Sequence, residues 1–128
     1  MTRTAISTTG APAAIGPYSQ AIEVDGFVFL AGQAALDPLT GVLADGGIEP
    51  ETERVMANLT AVLEAAGCSW SDVVRASIFL IDMADFAAVN AIYARYVSDP
   101  PPARSTVAVA ALPKGARVEI DLVAKRSS

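Results

Sequence analysis

A chain of 128 residues can form one domain that buries roughly two-thirds of the surface its unfolded form exposes, and it is too short to need a second. With 52% hydrophobic and 18% charged residues, it has few polar side chains to cover an isolated small globule, so contacts with other subunits are expected. A net charge of -5 offers no basic field to phosphate backbones, which argues against a nucleic-acid partner, and the absence of histidine removes the commonest general base, the commonest metal ligand and any Ser-His or Cys-His nucleophile. Chemistry must therefore fall to carboxylates, tyrosine, arginine or lysine. Cys68 is the single cysteine, so no internal disulfide can form and a reducing compartment is expected. The uncharged stretch Thr4 to Ile22 is rich in Ser, Thr, Gly and Pro rather than aliphatic residues, and reads as neither a membrane span nor a signal segment. A cytoplasmic protein with no membrane partner is the expectation.

Gly16-Pro17 sets a rigid corner from which Tyr18 emerges, a position where a tyrosine commonly just packs. Gln20 to Val24 and Phe27 to Gly32 flank Asp25-Gly26, a pair that tolerates positive φ at both positions, so a hairpin is expected. Its second arm is apolar on both faces, which implies a strand covered on both sides by helices or by another subunit. Pro50, Glu51 and Glu53 suit a helix start and Gly67 a helix stop; between them Val55, Met56, Leu59, Val62, Leu63 and Ala66 recur as one apolar stripe. Cys68 follows as core filler. Val73 to Ile81 reads as a strand, with Arg75 and Ser77 on one face and Val74, Ala76, Ile78 and Leu80 on the other. Asp82 can cap a second helix whose stripe is Phe86, Val89, Tyr93, Tyr96 and Val97, and which Pro100-Pro101-Pro102 must terminate.

Arg104 then opens an otherwise uncharged run to Leu112, and the last strand carries Arg117, Glu119 and Asp121 on one face against Val118, Ile120 and Leu122 on the other. The order β-β-α-β-α-β-β gives a single α+β domain over 1–128, two helices packed on one face of a sheet. Its bare face would be closed most economically against identical subunits. Gly41 to Gly47 lacks phosphate-loop spacing. An arginine and a carboxylate on neighbouring strands suggest carboxylate capture beside a proton-handling group; a structural ion pair between Arg104 and Glu119 is the alternative. Glu119 can equally belong to an exposed ladder of opposite charges with Arg117 and Asp121, and Asn90 can simply face water. Arg75 reads as structural.

Taken in order, Ala14-Ile15-Gly16-Pro17-Tyr18-Ser19-Gln20, Leu30-Ala31-Gly32-Gln33, Phe86-Ala87-Ala88-Val89-Asn90, Pro102-Ala103-Arg104-Ser105-Thr106 and Leu112-Pro113-Lys114, followed by Val118-Glu119-Ile120, resemble the RidA (YjgF) family from near residue 5 to residue 125. The resemblance implies a chorismate-mutase-like subunit in a homotrimer, with the sheets lining a central barrel and the active clefts between subunits. It also implies hydrolysis of reactive 2-imino acids, or enamine tautomers such as 2-aminoacrylate, to 2-keto acids and ammonia, with no metal and no cofactor. On the same footing Arg104 holds the substrate carboxylate, Glu119 handles the attacking water and Tyr18 lines the pocket, while Ala31, Gly32, Asn90 and Thr106 fall at substrate-binding or supporting positions. Ala31 stands where many members carry serine and Thr106 where the archetype carries cysteine, departures that bear on substrate range and rate. The segment Ser98 to Pro102 is also shorter and richer in proline than in the archetype. Two other functions stay open: a trimer that binds small carboxylates without turnover, and the endoribonuclease or translation-inhibitor activity named for some relatives. Acidic charge and the lack of histidine argue against the latter.

Overall fold

The structure, a computed structural model, describes residues 2–127. Its strands are β1 (Thr4–Ile6), β2 (Ala21–Val24), β3 (Phe27–Gln33), β4 (Val73–Leu80), β5 (Ala103–Ala108) and β6 (Val118–Lys125), and its two helices are α1 (Ile48–Ala65) and α2 (Phe86–Tyr93). The strands form one sheet in the order β1-β2-β3-β6-β4-β5, antiparallel throughout except for β4 and β5. That parallel pair needs a long crossover, and α2 supplies it. β3 and β4 both run antiparallel to β6, so α1 connects two like-directed strands between which the last strand inserts.

The expected hairpin is present: Val24 pairs with Phe27 across Asp25 (φ 57) and Gly26 (φ 82), the positive-φ pair that a primed turn requires. The α1 stripe also forms as expected, with Val55, Met56, Leu59, Val62, Leu63 and Ala66 all buried. The helix stops at Gly67, whose N–H donates to the Glu64 carbonyl while that of Cys68 donates to the Leu63 carbonyl (2.8 Å), closing the C-terminal turn. Val28, Leu30, Ala76, Ile78, Leu80, Val118, Ile120 and Leu122 meet the helices from the sheet, and Cys68 joins this core.

Several expectations need correction. β1 adds a strand before the hairpin, so the order is β-β-β-α-β-α-β-β. Its three largely exposed residues carry no apolar alternation, and only backbone pairing with Ala21 to Glu23 defines it. Within this chain the helices cover one face of β3, burying Val28 and Leu30, and Phe27 and Phe29 stand exposed on the helix-free face, the side on which cover by another subunit is the remaining expectation. Val74 is exposed rather than facing the core, because a register shift between Val73 and Arg75 gives the buried position to Val73. α2 stops at Tyr93, leaving Tyr96 and Val97 to pack from the following turns. Among the described residues, no helix is long and apolar enough to cross a membrane.

Candidate active site

Glu119 lies on β6 opposite a local irregularity in β3. Leu30 pairs with Leu122 and Gln33 with Ile120, so Ala31 and Gly32 together face the single residue Asp121. Such a bulge re-aims the strand, and here it brings Gly32 under the Glu119 carboxyl: a Cβ at residue 32 would lie 2.5 Å from Oε2 and 2.8 Å from Cδ. Only a residue without a side chain leaves that carboxylate where it is. Glu119 is half-buried, and burial first and the like charge of Asp121 second push its carboxyl above the ordinary carboxylate range. Asp121 is raised too, by burial, with the Ser77 hydroxyl and the Arg75 guanidinium pulling the other way.

A cavity of about 550 Å³ opens over Glu119, with Gly32, Tyr18, Gln20 and Lys114 in its lining. Tyr18 leaves the Gly16-Pro17 corner, where its N–H donates to the Gly16 carbonyl (2.8 Å), and is half exposed to the cavity rather than packed away. Gln20 is buried and fixes the facing wall: its Nε2 donates to the carbonyls of Thr8, Ala11 and Pro12, and its Oε1 accepts from the Thr8 N–H (2.7 Å). Lys114 reaches the rim from a left-handed backbone conformation (φ 58), which is uncommon for a non-glycine residue.

Arg104 sits in a second cluster. Its Nη1 donates to Asn90 Oδ1 (2.7 Å), and its guanidinium carbon lies 5.1 Å from the Tyr93 ring centre and 5.6 Å from that of Phe86. Phe86, Asn90 and Tyr93 occur at helical spacing and share one face of α2, so the helix supplies both the hydrogen-bonding and the aromatic seat. Among the described residues Asn90 is the one side chain hydrogen-bonded to that guanidinium, so donors remain for an anion. The buried hydroxyls of Tyr93 and Thr106 have no hydrogen-bond partner. Burial pushes the Tyr93 hydroxyl pKa upward, with Arg104 opposing, so the phenol stays protonated.

The two clusters do not meet within one chain, contrary to the expectation of neighbouring strands. β4 lies between β5 and β6 because the α2 crossover carries β5 to the sheet edge while β6 returns to the middle. Arg104 pairs with Ala76 and Glu119 with Phe79, three residues apart on β4, so the two side chains leave opposite faces. An Arg104–Glu119 ion pair within the chain is thereby removed. The charge ladder fails as well, since Arg117 turns to Glu51, which accepts from Arg117 Nη1 (2.7 Å) and from its backbone N–H (2.9 Å). Arg75 has a structural bond, donating to the Ser105 hydroxyl across the β4–β5 pair (2.9 Å). Asn90 faces the guanidinium rather than water. Ala31 lies in the bulge, its N–H on the Gln20 carbonyl (2.9 Å), and brings no hydroxyl to the cavity. Four contributors were not assigned to the site from the sequence, namely Gln20, Phe86, Tyr93 and Lys114; the spacing of Phe86 and Tyr93 around Asn90 could have revealed two of them, and Gln20, Phe86 and Lys114 lie within the sequence blocks that carry the family resemblance.

Comparison with known proteins finds relatives over nearly the whole chain. The family model described as Endoribonuclease L-PSP matches residues 8–126. Protein DfrA of Myxococcus xanthus is 54% identical over 126 residues, covering 97% of this chain and 96% of DfrA. The 2-iminobutanoate/2-iminopropanoate deaminase of Mus musculus is 50% identical over 122 residues, covering 95% of this chain and 90% of that protein. The crystal structure of TdcF from E. coli with bound serine superposes with a TM-score of 0.91 at 35% identity, covering 97% of this chain and 99% of TdcF. The chain therefore belongs to the endoribonuclease L-PSP family, the RidA family that its sequence blocks resemble.

Proposed function

We propose that this protein is a hydrolytic deaminase of reactive 2-imino acids and their enamine tautomers, such as 2-iminobutyrate and 2-aminoacrylate, and that it works as a homotrimer. Each site would join Glu119, Gly32 and Tyr18 of one subunit to Arg104, Asn90 and Thr106 of its neighbour. The observation that carries this reading is the separation of two built half-sites: a desolvated carboxylate at the floor of a cavity, and a seated guanidinium with spare donors on the opposite face at the sheet edge. Neither is complete alone, and the exposed Phe27 and Phe29 supply an apolar face for a second copy.

In this mechanism the Arg104 fork grips the substrate carboxylate and fixes the imine carbon, while Asn90 and the aromatic seat limit its swing. Glu119 accepts a proton from water as the water oxygen bonds to that carbon, and passes this proton to the imine nitrogen, which regenerates the carboxylate. The hydroxyl proton of the resulting carbinolamine then moves by way of Glu119 to its amino nitrogen, and the C–N bond breaks to release ammonia as the C–O bond becomes the keto carbonyl. The elevated pKa makes Glu119 a better base than an ordinary surface carboxylate. The proposed location is the cytoplasm, where the Cys68 thiol stays reduced.

The test is keto-acid release from freshly generated 2-iminobutyrate. Arg104→Ala is expected to lower kcat/KM about a hundredfold or more with the assembly mass retained; an unchanged rate removes Arg104 from the mechanism. The second reading, a trimer that binds small carboxylates without turnover, draws on Ala31, which brings no hydroxyl to the cavity, and on the serine bound to the relative TdcF. Calorimetric binding of a keto acid without acceleration over buffer selects it.

A further inference from the structure

The cavity over Glu119 has apolar side chains along its outer wall. Ile15 and Leu39 come from separate segments to line it, and they are 72% and 91% exposed. A single exposed apolar side chain means little, but two lining one cavity together with Pro12 and Pro38 form a surface that core packing does not explain.

Both walls are held firmly. The Asp37 carboxylate accepts from the N–H groups of Leu39 (2.8 Å) and Thr40 (3.0 Å), and the Asp37 backbone pairs with Val42 and Gly41. Asn58, fully buried on α1, donates to the carbonyls of Ala34 (3.3 Å) and Leu36 (3.0 Å), tying the base of that loop to the helix. Across the cavity, Gln20 pins the segment leading to Ile15 through the Ala11 and Pro12 carbonyls. Leu39 is therefore carried on the cavity wall by a turn that is braced through Asp37 and whose N–H groups are engaged. Preorganised apolar area of this kind gains when an aliphatic group covers it.

We propose that Ile15 and Leu39 form a side-chain subsite that makes imino acids with branched, four-carbon aliphatic side chains preferred substrates over the alanine-derived imine. The inference rests on the deaminase reading and deepens it. Neither residue touches the reacting atoms; they select by covering the substrate tail.

The test compares kcat/KM for imines generated in place from L-leucine and from L-alanine, using the wild-type protein and the Ile15→Ser/Leu39→Ser double variant, with the assembly mass measured alongside. The wild type is expected to favour the leucine-derived imine, and the leucine-to-alanine ratio to fall about tenfold in the variant. An unchanged ratio overturns the subsite, as does an equal loss on both imines with a changed mass, which would make this rim a contact between subunits. If the wild type accelerates neither imine, the deaminase reading falls, and calorimetry then decides the subsite alone. Tighter binding of 4-methyl-2-oxopentanoate than of pyruvate, with the preference lost in the variant, upholds it; equal affinities overturn it.

Discussion

Gly32 carries the sharpest residue-scale consequence. Because a Cβ there would fall 2.5 Å from Glu119 Oε2, Gly32→Ala must push the carboxylate aside while leaving the buried core untouched. The expected result is a fall in kcat of about tenfold to a hundredfold with the melting temperature little changed, measured by keto-acid release and thermal denaturation. A second residue-scale prediction concerns pH. Glu119 works as a base only when ionised, and its pKa is raised, so kcat/KM should decline with acidification at a higher pH than an ordinary carboxylate would give. Asp121→Asn removes the like charge and should shift that limb downward, without restoring the ordinary value because burial is the larger cause. A pH profile identical in the two proteins would show that the Asp121 charge does not reach the site. For stability the sign is opposite: carboxyls with raised pKa bind protons more readily when folded, so Glu119 and Asp121 contribute stability in acid that is lost as pH rises through their raised values.

Why some of these residues were readable in advance and others were not is also a matter of residue chemistry. Arg104 and Glu119 stood out because lone charges beside β-rich apolar sequence need a partner or a use. Glu51 did not, since an acidic residue in the first turn of a helix is fully explained by the dipole, and nothing local says that it will be wholly buried against a loop 66 residues on. Gln20 was hidden for the same reason, its partners being backbone carbonyls that no side-chain pattern marks.

Among elements, the Asp25-Gly26 turn and the Gly67 stop were readable because the determinants of each lie within a few residues. β1 was not, since a three-residue strand exists only through its neighbour. β5 could be recognised as a strand, but its place outside β4 depends on the direction of the α2 crossover, which no local property of Arg104 encodes. The Glu51–Arg117 contact acts at this scale, tying the start of α1 to the entry of β6 two residues before Glu119. Glu51→Ala should cost about 2 kcal/mol in chemical denaturation, because the Arg117 N–H loses its acceptor while the half-exposed guanidinium can return to water. Glu51→Gln, which keeps an acceptor, should cost less than half as much. Equal losses would place the effect in packing instead.

At the scale of the whole molecule, half-sites on opposite faces make a prediction that a site contained in one chain would not. Arg104→Ala and Glu119→Gln proteins should each be inactive, yet denaturing and refolding them together should restore activity. Random mixing gives about a quarter of the sites both functional groups when each site is shared by neighbours. No recovery despite mixed assemblies, verified by mass, would exclude shared sites.

The position of β6 has one more consequence, for biosynthesis. Last of the six strands to leave the ribosome, it lies between β3 and β4, so a nascent polypeptide halted before Val118 holds two strands whose inner edges have nothing to bond. Such a fragment is left with two separate pieces of sheet, β1-β2-β3 and β4-β5, and their bare edges invite aggregation. Translational stops late in the message should thus yield insoluble or degraded protein rather than a weakened enzyme.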